Sequence, residues 1–227
     1  LEILRACTSE LHRCTSVMVI PFMPRFRGDQ ISYAASAGKG AYGEARRATI
    51  KATAEEVILK RFHAKNEIRS TVAEIIALIA CRSSPHVVQL LGRVDHGEAV
   101  QDCDIELVLE RAALGSLEQL VNKHGTALSE LLTRKPAVLV SLARDIADGL
   151  AHIHSRGLLH RDISLRNLVL TAEGRAQFID FGLAGFVDEK GEYSAAGTGL
   201  SNSVIPMYEY EVSRRDLKLA LTLRLLR

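Results

Sequence analysis

Acidic, amide and basic side chains lie close together in two short segments of the second half of the chain. The first is His-Arg-Asp-Ile-Ser-Leu-Arg-Asn at residues 160–167, and the second is Asp180-Phe181-Gly182, which begins thirteen residues after Asn167. Carboxylate and amide oxygens are ligands that suit Mg²⁺, and a carboxylate can accept a proton from a hydroxyl. Taken singly, Asp162 would be an ordinary surface charge and Asp180 a turn residue before a glycine.

Lys60, in the first half of the chain, could bind a phosphate group through its positive charge. It ends the apolar run Val57-Ile58-Leu59, which predicts a strand with one positive charge at its end. Glu74, fourteen residues further on, could hold the ammonium group in place. Glu67 is the other candidate, but it lies near the start of the same predicted helix, so we favour Glu74.

Three glycines punctuate the stretch Gly-Lys-Gly-Ala-Tyr-Gly at residues 38–43. Because glycine has no side chain, such a stretch lets the backbone approach phosphate groups, whose charge the amide groups can meet. The same glycines could belong to a dinucleotide-binding turn, which requires a helix directly after it, or to a simple hairpin. Strand-forming residues follow at 45–50, so the sequence favours a glycine-rich loop between two strands.

The predicted elements that position these residues change from strands to helices along the chain. Strands are predicted at 31–36, 44–50, 56–61, 87–94 and 105–109, with an amphipathic helix at 66–81 among them. Helices are predicted at 116–124 and 136–154, and short strands at 158–159, 168–170 and 177–179. This order predicts an α+β fold of two lobes, joined near residues 110–114, with a ligand cleft between them.

In this order and spacing, the glycine-rich stretch, Lys60, residues 160–167 and Asp180-Phe181-Gly182 resemble the signature set of the protein kinase catalytic domain. The resemblance covers residues 31 to 220. It implies a bilobal kinase fold, in which a small antiparallel sheet with one helix is followed by a mainly helical lower lobe that would be incomplete. The implied domains are an N-terminal extension at 1–30, an N-lobe at 31–112 and a partial C-lobe at 113–227.

The resemblance also implies an activity: the chain would bind ATP with Mg²⁺ and move the terminal phosphate onto a protein hydroxyl. Asp162 would orient that hydroxyl and accept its proton, while Asn167 and Asp180 would hold the Mg²⁺ ion. Lys60 would contact the α- and β-phosphates, with Glu74 as its partner. The other implied nucleotide contacts are the loop residues Gly38, Lys39, Gly40, Ala41, Tyr42 and Gly43, the adenine roof Ala45 and Ile58, the floor Val169, the gatekeeper Leu109, and the backbone of Glu110 and Ala112.

The class of protein substrate is less well defined, because the chain departs here from the family pattern. Ser164 stands where Ser/Thr kinases usually carry a lysine that reaches the γ-phosphate. Arg166, the remaining catalytic candidate, stands where many receptor-type tyrosine kinases have an arginine. Gly197-Thr198, in contrast, lies where Ser/Thr kinases carry a Gly-Thr pair, so we prefer Ser/Thr over Tyr.

The adenine roof departs from the pattern as well. Ala45 replaces the usual valine and Ile58 the usual alanine, which predicts a compensated pocket, since volume-conserving exchanges are tolerated better than overpacking. Without that compensation Ile58 would crowd the base, which leaves open a pseudokinase or regulatory binding module that retains the kinase fold. A small-molecule kinase is a third alternative, against which the full glycine stretch and Asp180-Phe181-Gly182 favour a protein substrate.

Arg161, beside Asp162, implies an activation segment that phosphorylation could order, because a guanidinium pairs bidentately with phosphate. An upstream kinase acting on residues 183–203 is therefore an implied partner, besides the protein substrate. The candidate acceptors are Tyr193, Ser194, Thr198, Ser201 and Ser203.

Composition argues against several other classes of protein. A net charge of +2, with 47% hydrophobic and 25% charged residues, gives no reason to expect nucleic acid as a partner. No apolar run reaches the roughly 20 residues that span a bilayer, so no membrane segment is predicted. The four cysteines lack the spacing of a disulfide framework, which favours free thiols in the cytoplasm. Cys7, His12 and Cys14 have no second ligand pair, so we reject a zinc site.

The last residues bear on the expected activity of this chain. Residues 216–221 resemble the start of the family's central lower-lobe helix, and the sequence ends at Arg227. The leucines of this region would then lack part of their packing and form an exposed apolar patch, and they are Leu219, Leu221, Leu223 and Leu225. We therefore expect this chain alone to be poorly stable or inactive.

Overall fold

The computed structural model of the protein describes residues 23–40, 43–62, 64–95, 105–187 and 193–194, with the side chains of 35–40, 43, 64–70, 72, 187 and 193–194 left out. Two compact units make up this part of the chain. Unit 1 holds residues 23–79 and Gln89–Arg111, and unit 2 holds Ala80–Val88 and the described residues from Ala112 onward. The predicted α+β fold class is confirmed, because unit 1 is rich in strands and unit 2 contributes most of the helices.

Unit 1 is a six-stranded sheet in the order β1-β5-β6-β4-β3-β2, together with one helix. Its strands are β1 (Arg25–Arg27), β2 (Ile31–Gly40), β3 (Gly43–Ile50), β4 (Glu55–Phe62), β5 (Leu90–Asp95) and β6 (Ile105–Glu110), and its helix is α1 (Ala64–Ala80). All strand pairs are antiparallel except β1 with β5, which is parallel. The strands predicted at 31–36, 44–50, 56–61 and 105–109 are present with slightly wider bounds.

One face of this sheet carries an apolar core. Its buried members are Ile31, Ala48, Ile50, Val57, Leu59, Val94 and Val108, with Phe26 and Leu91 packed against them. The cluster draws on all six strands, so burial of apolar area holds the sheet together. In α1 the buried apolar residues are Ala73, Ile75, Ile76, Ala77 and Leu78, which confirms part of the predicted amphipathic stripe.

Unit 2 combines two long helices with short strands. Its elements are β7 (Gly115–Ser116), α2 (Leu117–Arg134), α3 (Pro136–Ser155), β8 (Leu158–Leu159), β9 (Leu168–Leu170), β10 (Ala176–Phe178), β11 (Gly185–Val187) and β12 (Tyr193–Ser194). The strands form two small sheets in the orders β10-β9-β7 and β12-β11-β8. The strands β8 and β9 confirm the predictions at 158–159 and 168–170.

Helix α2 begins where the sequence predicts but does not end there. Ser116 caps it: its Oγ accepts from the Gln119 N–H (3.2 Å), and Gln119 Oε1 accepts from the Ser116 N–H (3.1 Å). The predicted end at His124 coincides with a break, since this residue has non-helical angles (φ −132°, ψ 23°). The helix then resumes to Arg134, because Leu132 is buried and tertiary packing outweighs the break.

The strand predicted at 87–94 is wrong at its start, because β5 begins only at Leu90. Val87 instead forms a single bridge with Phe178, and the Val88 N–H donates to the Phe178 carbonyl oxygen at 3.0 Å. Both valines are buried, and their backbone pairs with β10 of unit 2. The apolar residues of 87–94 therefore take part in two different strand pairings.

Two helical glycines offer a matched test of packing in unit 2. A Cβ at Gly149 of α3 would lie 2.9 Å from His86 Cβ and 2.9 Å from Phe178 Cε2, whereas one at Gly125 of α2 would meet nothing within 4 Å. Overpacking typically costs roughly 1–3 kcal/mol. We expect Gly149→Ala to lower the urea midpoint of unfolding and Gly125→Ala to leave it unchanged or higher. Equal shifts in the two variants would contradict the packing seen around Gly149.

Two sequence expectations can be checked only in part. Among the helices that the structure describes, none has the length and apolar character needed to cross a bilayer. Cys81 is a free and buried thiol, and burial raises its pKa to about 11. The candidate zinc residues at 7–14, Cys103 and the leucines of 216–227 lie outside the described residues.

Candidate active site

The glycine-rich stretch lies in a hairpin of unit 1. Strands β2 and β3 pair with the register Gly38↔Ala45, Lys39↔Glu44 and Gly40↔Gly43. The glycines thus lie where two paired strands follow one another, as the sequence predicts, and the following element is a strand instead of the helix that a dinucleotide-binding turn requires. Ala41, Tyr42 and the side chain of Lys39 are outside the described part of the chain.

Lys60 of β4 and Glu74 of α1 form the ion pair that the sequence predicts. The Lys60 ammonium donates to both carboxylate oxygens of Glu74, at 2.7 and 2.8 Å. The Glu74 side chain is 1% exposed and that of Lys60 is 13% exposed, so the pair is largely shielded from water. A hydrogen-bonded charge pair of this kind fixes the direction of the ammonium group. Glu67, the other candidate, has a side chain that is not described.

The predicted adenine-contacting residues of unit 1 share one face of the sheet with Lys60. Ala45 is the cross-strand neighbour of Lys60, and Ile58 is that of Leu109. Cross-strand neighbours present their side chains on the same face of a sheet. Leu109 is buried. These positions fit an apolar wall next to the lysine, while their contact with a base stays a prediction.

The two residues predicted to contact the base through their backbone have different surroundings. The Glu110 N–H donates to the Gln89 carbonyl oxygen at 3.0 Å, and Glu110 Oε1 accepts from the Gln89 N–H at 2.8 Å. In unit 2, the Ala112 carbonyl oxygen accepts from the Gly115 N–H at 3.3 Å. Val169, the predicted floor, is a buried residue of β9.

Asp162 is the most enclosed carboxylate of unit 2 among the predicted site residues. Its side chain accepts two hydrogen bonds from the Arg166 guanidinium, at 3.1 and 2.8 Å, and one from Asn167 Nδ2 at 2.9 Å. The residue is only 3% exposed. Because an enclosed carboxylate is costly unless it is hydrogen-bonded, these donors offset the cost of its burial and fix its orientation.

Arg166 lies among three acidic residues. The hydrogen bond and charge of Asp162 raise the pKa of Arg166, and the charges of Asp180 and Glu118 act in the same direction. This geometry links the two short segments of the sequence that could do chemistry. Glu118, in the first turn of α2, is a neighbour that sequence reasoning missed. No sequence motif connects it with residue 166, so only the fold brings the two charges together.

Ser164, where Ser/Thr kinases usually carry a lysine, has a buried hydroxyl group. Its Oγ is buried and, within the described part of the chain, has no hydrogen-bond partner. A buried hydroxyl without a partner is costly, so such groups in native proteins call for an explanation. Ser164 cannot supply the positive charge of the lysine that Ser/Thr kinases usually carry at this position.

His160 is buried between two aromatic rings and directly precedes the loop of residues 161–164, which we call the Asp162 loop. Its ring centroid lies 5.4 Å from that of Phe178 and 4.7 Å from that of Phe181. Its Nδ1 accepts the Asp162 backbone N–H (3.3 Å), so the proton is assigned to Nε2, which donates to the Ile179 carbonyl oxygen (3.0 Å). One neutral histidine thus ties the Asp162 loop to the strand end that precedes Asp180.

Two site residues have backbone conformations that amino acids with side chains adopt rarely. Arg161 and Asp180 both have a φ of 64°. Such strain costs of order 1–3 kcal/mol per residue and persists only where the surroundings hold it, often at functional sites. Here the Arg161 Nε donates to the Leu183 carbonyl oxygen, and Phe181, directly after Asp180, is fully buried.

Part of the predicted activation segment is described. Tyr193 and Ser194 form β12, which pairs with β11 in the register Val187↔Tyr193 and Phe186↔Ser194. Strand β11 also pairs with β8, just before the Asp162 loop. The other candidate acceptors, Thr198, Ser201 and Ser203, are outside the described residues. Their phosphorylation and that of β12 stay predictions.

The predicted Mg²⁺ ligands can be tested for chemical fit. Asn167 Nδ2 is committed to the backbone oxygen and Oδ2 of Asp162, both at 2.9 Å, which leaves the amide oxygen as the atom for a cation. Asp180 adds a carboxylate, whose charge acts in the direction that raises the pKa of Arg166. The described residues contain no cluster of three or more His, Cys, Asp or Glu side chains that could hold a metal. A two-oxygen site suits Mg²⁺, which protein sites commonly share with substrate phosphates.

Comparison with known families identifies the family to which the chain belongs. A family model described as the protein kinase domain matches residues 32–218 of the 227-residue chain. The chain therefore belongs to the protein kinase domain family. The resemblance that four separate motifs indicate in the sequence is confirmed at the level of the family.

Proposed function

We propose that this protein is a protein kinase that transfers the γ-phosphate of ATP to a protein hydroxyl, with Ser or Thr preferred over Tyr. Family membership supports the reaction class. The observation that carries the proposal is the environment of Asp162, an enclosed carboxylate oriented by Arg166 and Asn167. A group that must accept a proton at a fixed position needs such an orientation.

Each residue of the proposed machinery acts on charge or position. Asp162 orients the substrate hydroxyl and takes its proton as the oxygen attacks the γ-phosphorus and the bond to the leaving ADP breaks. Asn167 and Asp180 hold the metal ion through hard oxygens. Lys60, fixed by Glu74, meets the α- and β-phosphates. Bound MgATP supplies the phosphoryl group and a cation that neutralises the charge developing on it.

Regulation by phosphorylation is a further part of the proposal. Arg161 has its guanidinium next to the backbone of Leu183, at the start of the segment that carries the candidate acceptors. A guanidinium at that position suits a phosphate on Tyr193, Ser194 or a later hydroxyl, because it can pair with two oxygens at once. An upstream kinase would then be a partner of this protein.

The proposal is tested by Mg²⁺-dependent phosphoryl transfer. The purified full-length protein, incubated with γ-labelled ATP and a general protein substrate, is expected to label Ser or Thr hydroxyls with Mg²⁺ present and not with a chelator. Phosphoamino acid analysis decides between Ser/Thr and Tyr. Nucleotide binding without any transfer would contradict the proposal and favour the pseudokinase alternative.

A further inference from the structure

The described residues before the family match form part of the sheet. We call Met23–Gln30 the leading segment; it ends before residue 32, where the match to the kinase domain family begins. Its strand β1 pairs in parallel with β5, with Phe26 opposite Val94. The Arg93 N–H donates to the Pro24 carbonyl oxygen at 2.9 Å. The leading segment therefore adds a sixth strand to unit 1, next to β5.

Gly92 of β5 is the position that admits the leading segment. A Cβ at residue 92 would lie 2.4 Å from the Pro24 carbonyl oxygen and 2.9 Å from Phe26 Cε2. Gly92 does not have a positive φ, so its backbone conformation does not require glycine. Since glycine inside a strand lowers stability, its role here is to leave room for the neighbouring chain.

Contacts at both ends fix the leading segment. Phe26 packs against the apolar core of the sheet, and Met23 is buried. At the other end, Lys51 of the β3–β4 turn donates its Nζ to the Asp29 carbonyl oxygen (2.7 Å) and its N–H to the Gln30 carbonyl oxygen (2.9 Å). The segment is thus held by an apolar anchor, a strand pairing and a turn.

Strand β5, which pairs with the leading segment, is connected through Gln89 to Glu110, a predicted nucleotide contact. Gln89, directly before β5, exchanges two hydrogen bonds with Glu110 at the end of β6. Gln89 thus connects the start of β5 to the backbone at Glu110. Movement of β5 would transmit to that backbone, because packed strands shift as units rather than deform continuously.

We propose that the leading segment docks on strand β5 of its own chain. We also propose that its contact with Gly92 positions Glu110 for nucleotide binding. The positioning role rests on the proposed function, since it needs a nucleotide to position. The docking itself does not. Phe26 and Gly92 act as positioning residues at a distance from the chemistry.

Four full-length proteins test the proposal: wild type, Gly92→Ala, Phe26→Ala and Gly28→Ala. The first two changes disturb docking, whereas Gly28→Ala is a matched control in the same segment, since a Cβ there would meet nothing within 4 Å. Hydrogen–deuterium exchange across β5 reports docking, and titration with MgADP reports nucleotide affinity. We expect Gly92→Ala and Phe26→Ala to speed exchange at the Arg93 amide by about tenfold or more, through local opening of the edge. Nucleotide affinity should fall several-fold in both and stay unchanged in Gly28→Ala.

Each outcome bears on a separate part of the proposal. Unchanged exchange at Arg93 in both Gly92→Ala and Phe26→Ala would overturn docking, and if Gly92→Ala does not fold, Phe26→Ala alone decides. Faster exchange with unchanged affinity would overturn the positioning role. A wild type that binds no nucleotide would overturn the proposed function and positioning, while exchange would still decide docking. Protection at Arg93 that disappears on dilution would show a strand donated by a second copy and overturn docking within one chain.

Discussion

Asp162→Asn is expected to lower kcat by roughly 10²- to 10⁴-fold, the range for loss of a general base, with MgADP affinity nearly unchanged. The exchange keeps the size of the side chain and leaves an amide oxygen that can accept from Asn167 Nδ2, as the carboxylate does at 2.9 Å. It removes the charge that would take the proton of the substrate hydroxyl. Steady-state phosphorylation of a protein substrate measures the loss.

Little of that loss should come from unfolding. In Asp162→Asn the Arg166 guanidinium loses its charged partner, but its side chain is 57% exposed and water can solvate it. Because the buried member of this pair becomes neutral and the charge that remains is exposed, the change leaves no uncompensated charge inside the protein. The free energy of unfolding should therefore change little while kcat collapses, and a large loss of stability would contradict this reading of Asp162.

Asp145→Asn is the matched control in the same unit. The Asp145 carboxylate also accepts a hydrogen bond, from the Ala176 backbone N–H at 3.0 Å, and it lies 3.9 Å from His86 Nδ1. It has no place in the proposed chemistry. We expect kcat to stay within a few-fold of the wild type in this variant, and an equal loss in the two variants would show general damage to unit 2 instead of loss of a base.

The sequence predicted elements best where a local pattern and the final packing agree. The strands of the glycine hairpin, the helix that carries Glu74 and the start of α2 at Ser116 all follow from local signals: alternation, an apolar stripe and a capping box. These signals act between neighbours in sequence, so a single sequence is sufficient to recognise them.

The predictions failed where contacts between residues that are distant in sequence determine the local structure. Val87 and Val88 have the same apolar character as the strand that follows, and only their pairing with Phe178 separates them from it. The second half of α2 continues past a break because Leu132 finds a buried place. The leading segment likewise depends on an absent side chain at Gly92, in another strand. Local propensity carries no information about such partners.

The candidate site shows the same division. The residue types that suit phosphoryl transfer, and the partner of Lys60, could be named from spacing and the family resemblance. The arrangement around Arg166 could not, because its charge interaction with Glu118 joins residues far apart in sequence. The proton on His160 Nε2 follows only from the two hydrogen bonds of its ring. The surroundings of Arg166 and the position of the His160 proton therefore depend on contacts that form only in the folded chain.

Lys60→Met is expected to damage both stability and nucleotide binding, and a second change should separate the two effects. Removing the ammonium leaves the Glu74 carboxylate, 1% exposed, without its charged partner. Loss of one member of a buried ion pair costs roughly 3–5 kcal/mol. We expect a drop in the free energy of unfolding of this order in urea, together with loss of measurable MgADP binding.

The double variant Lys60→Met/Glu74→Gln is expected to recover most of the stability, because a neutral amide is far less costly to bury than an unpaired charge. It should not recover nucleotide binding, since no cation is left to meet the phosphates. Recovery of both properties would contradict the role of Lys60 as a phosphate contact. Recovery of neither would show that residue 60 matters for packing beyond its charge.

The pair Arg111–Glu56 is the control for this cycle, because it has the same 2.7 Å separation in the same unit but lies at the surface, with Glu56 61% exposed. Glu56→Gln should change the free energy of unfolding by less than about 1 kcal/mol, since water solvates either charge alone. Two ion pairs of equal length would then differ severalfold in their effect on stability. That difference would follow from burial. Burial would likewise explain why the Lys60 ammonium keeps one orientation, since Glu74 holds it away from water.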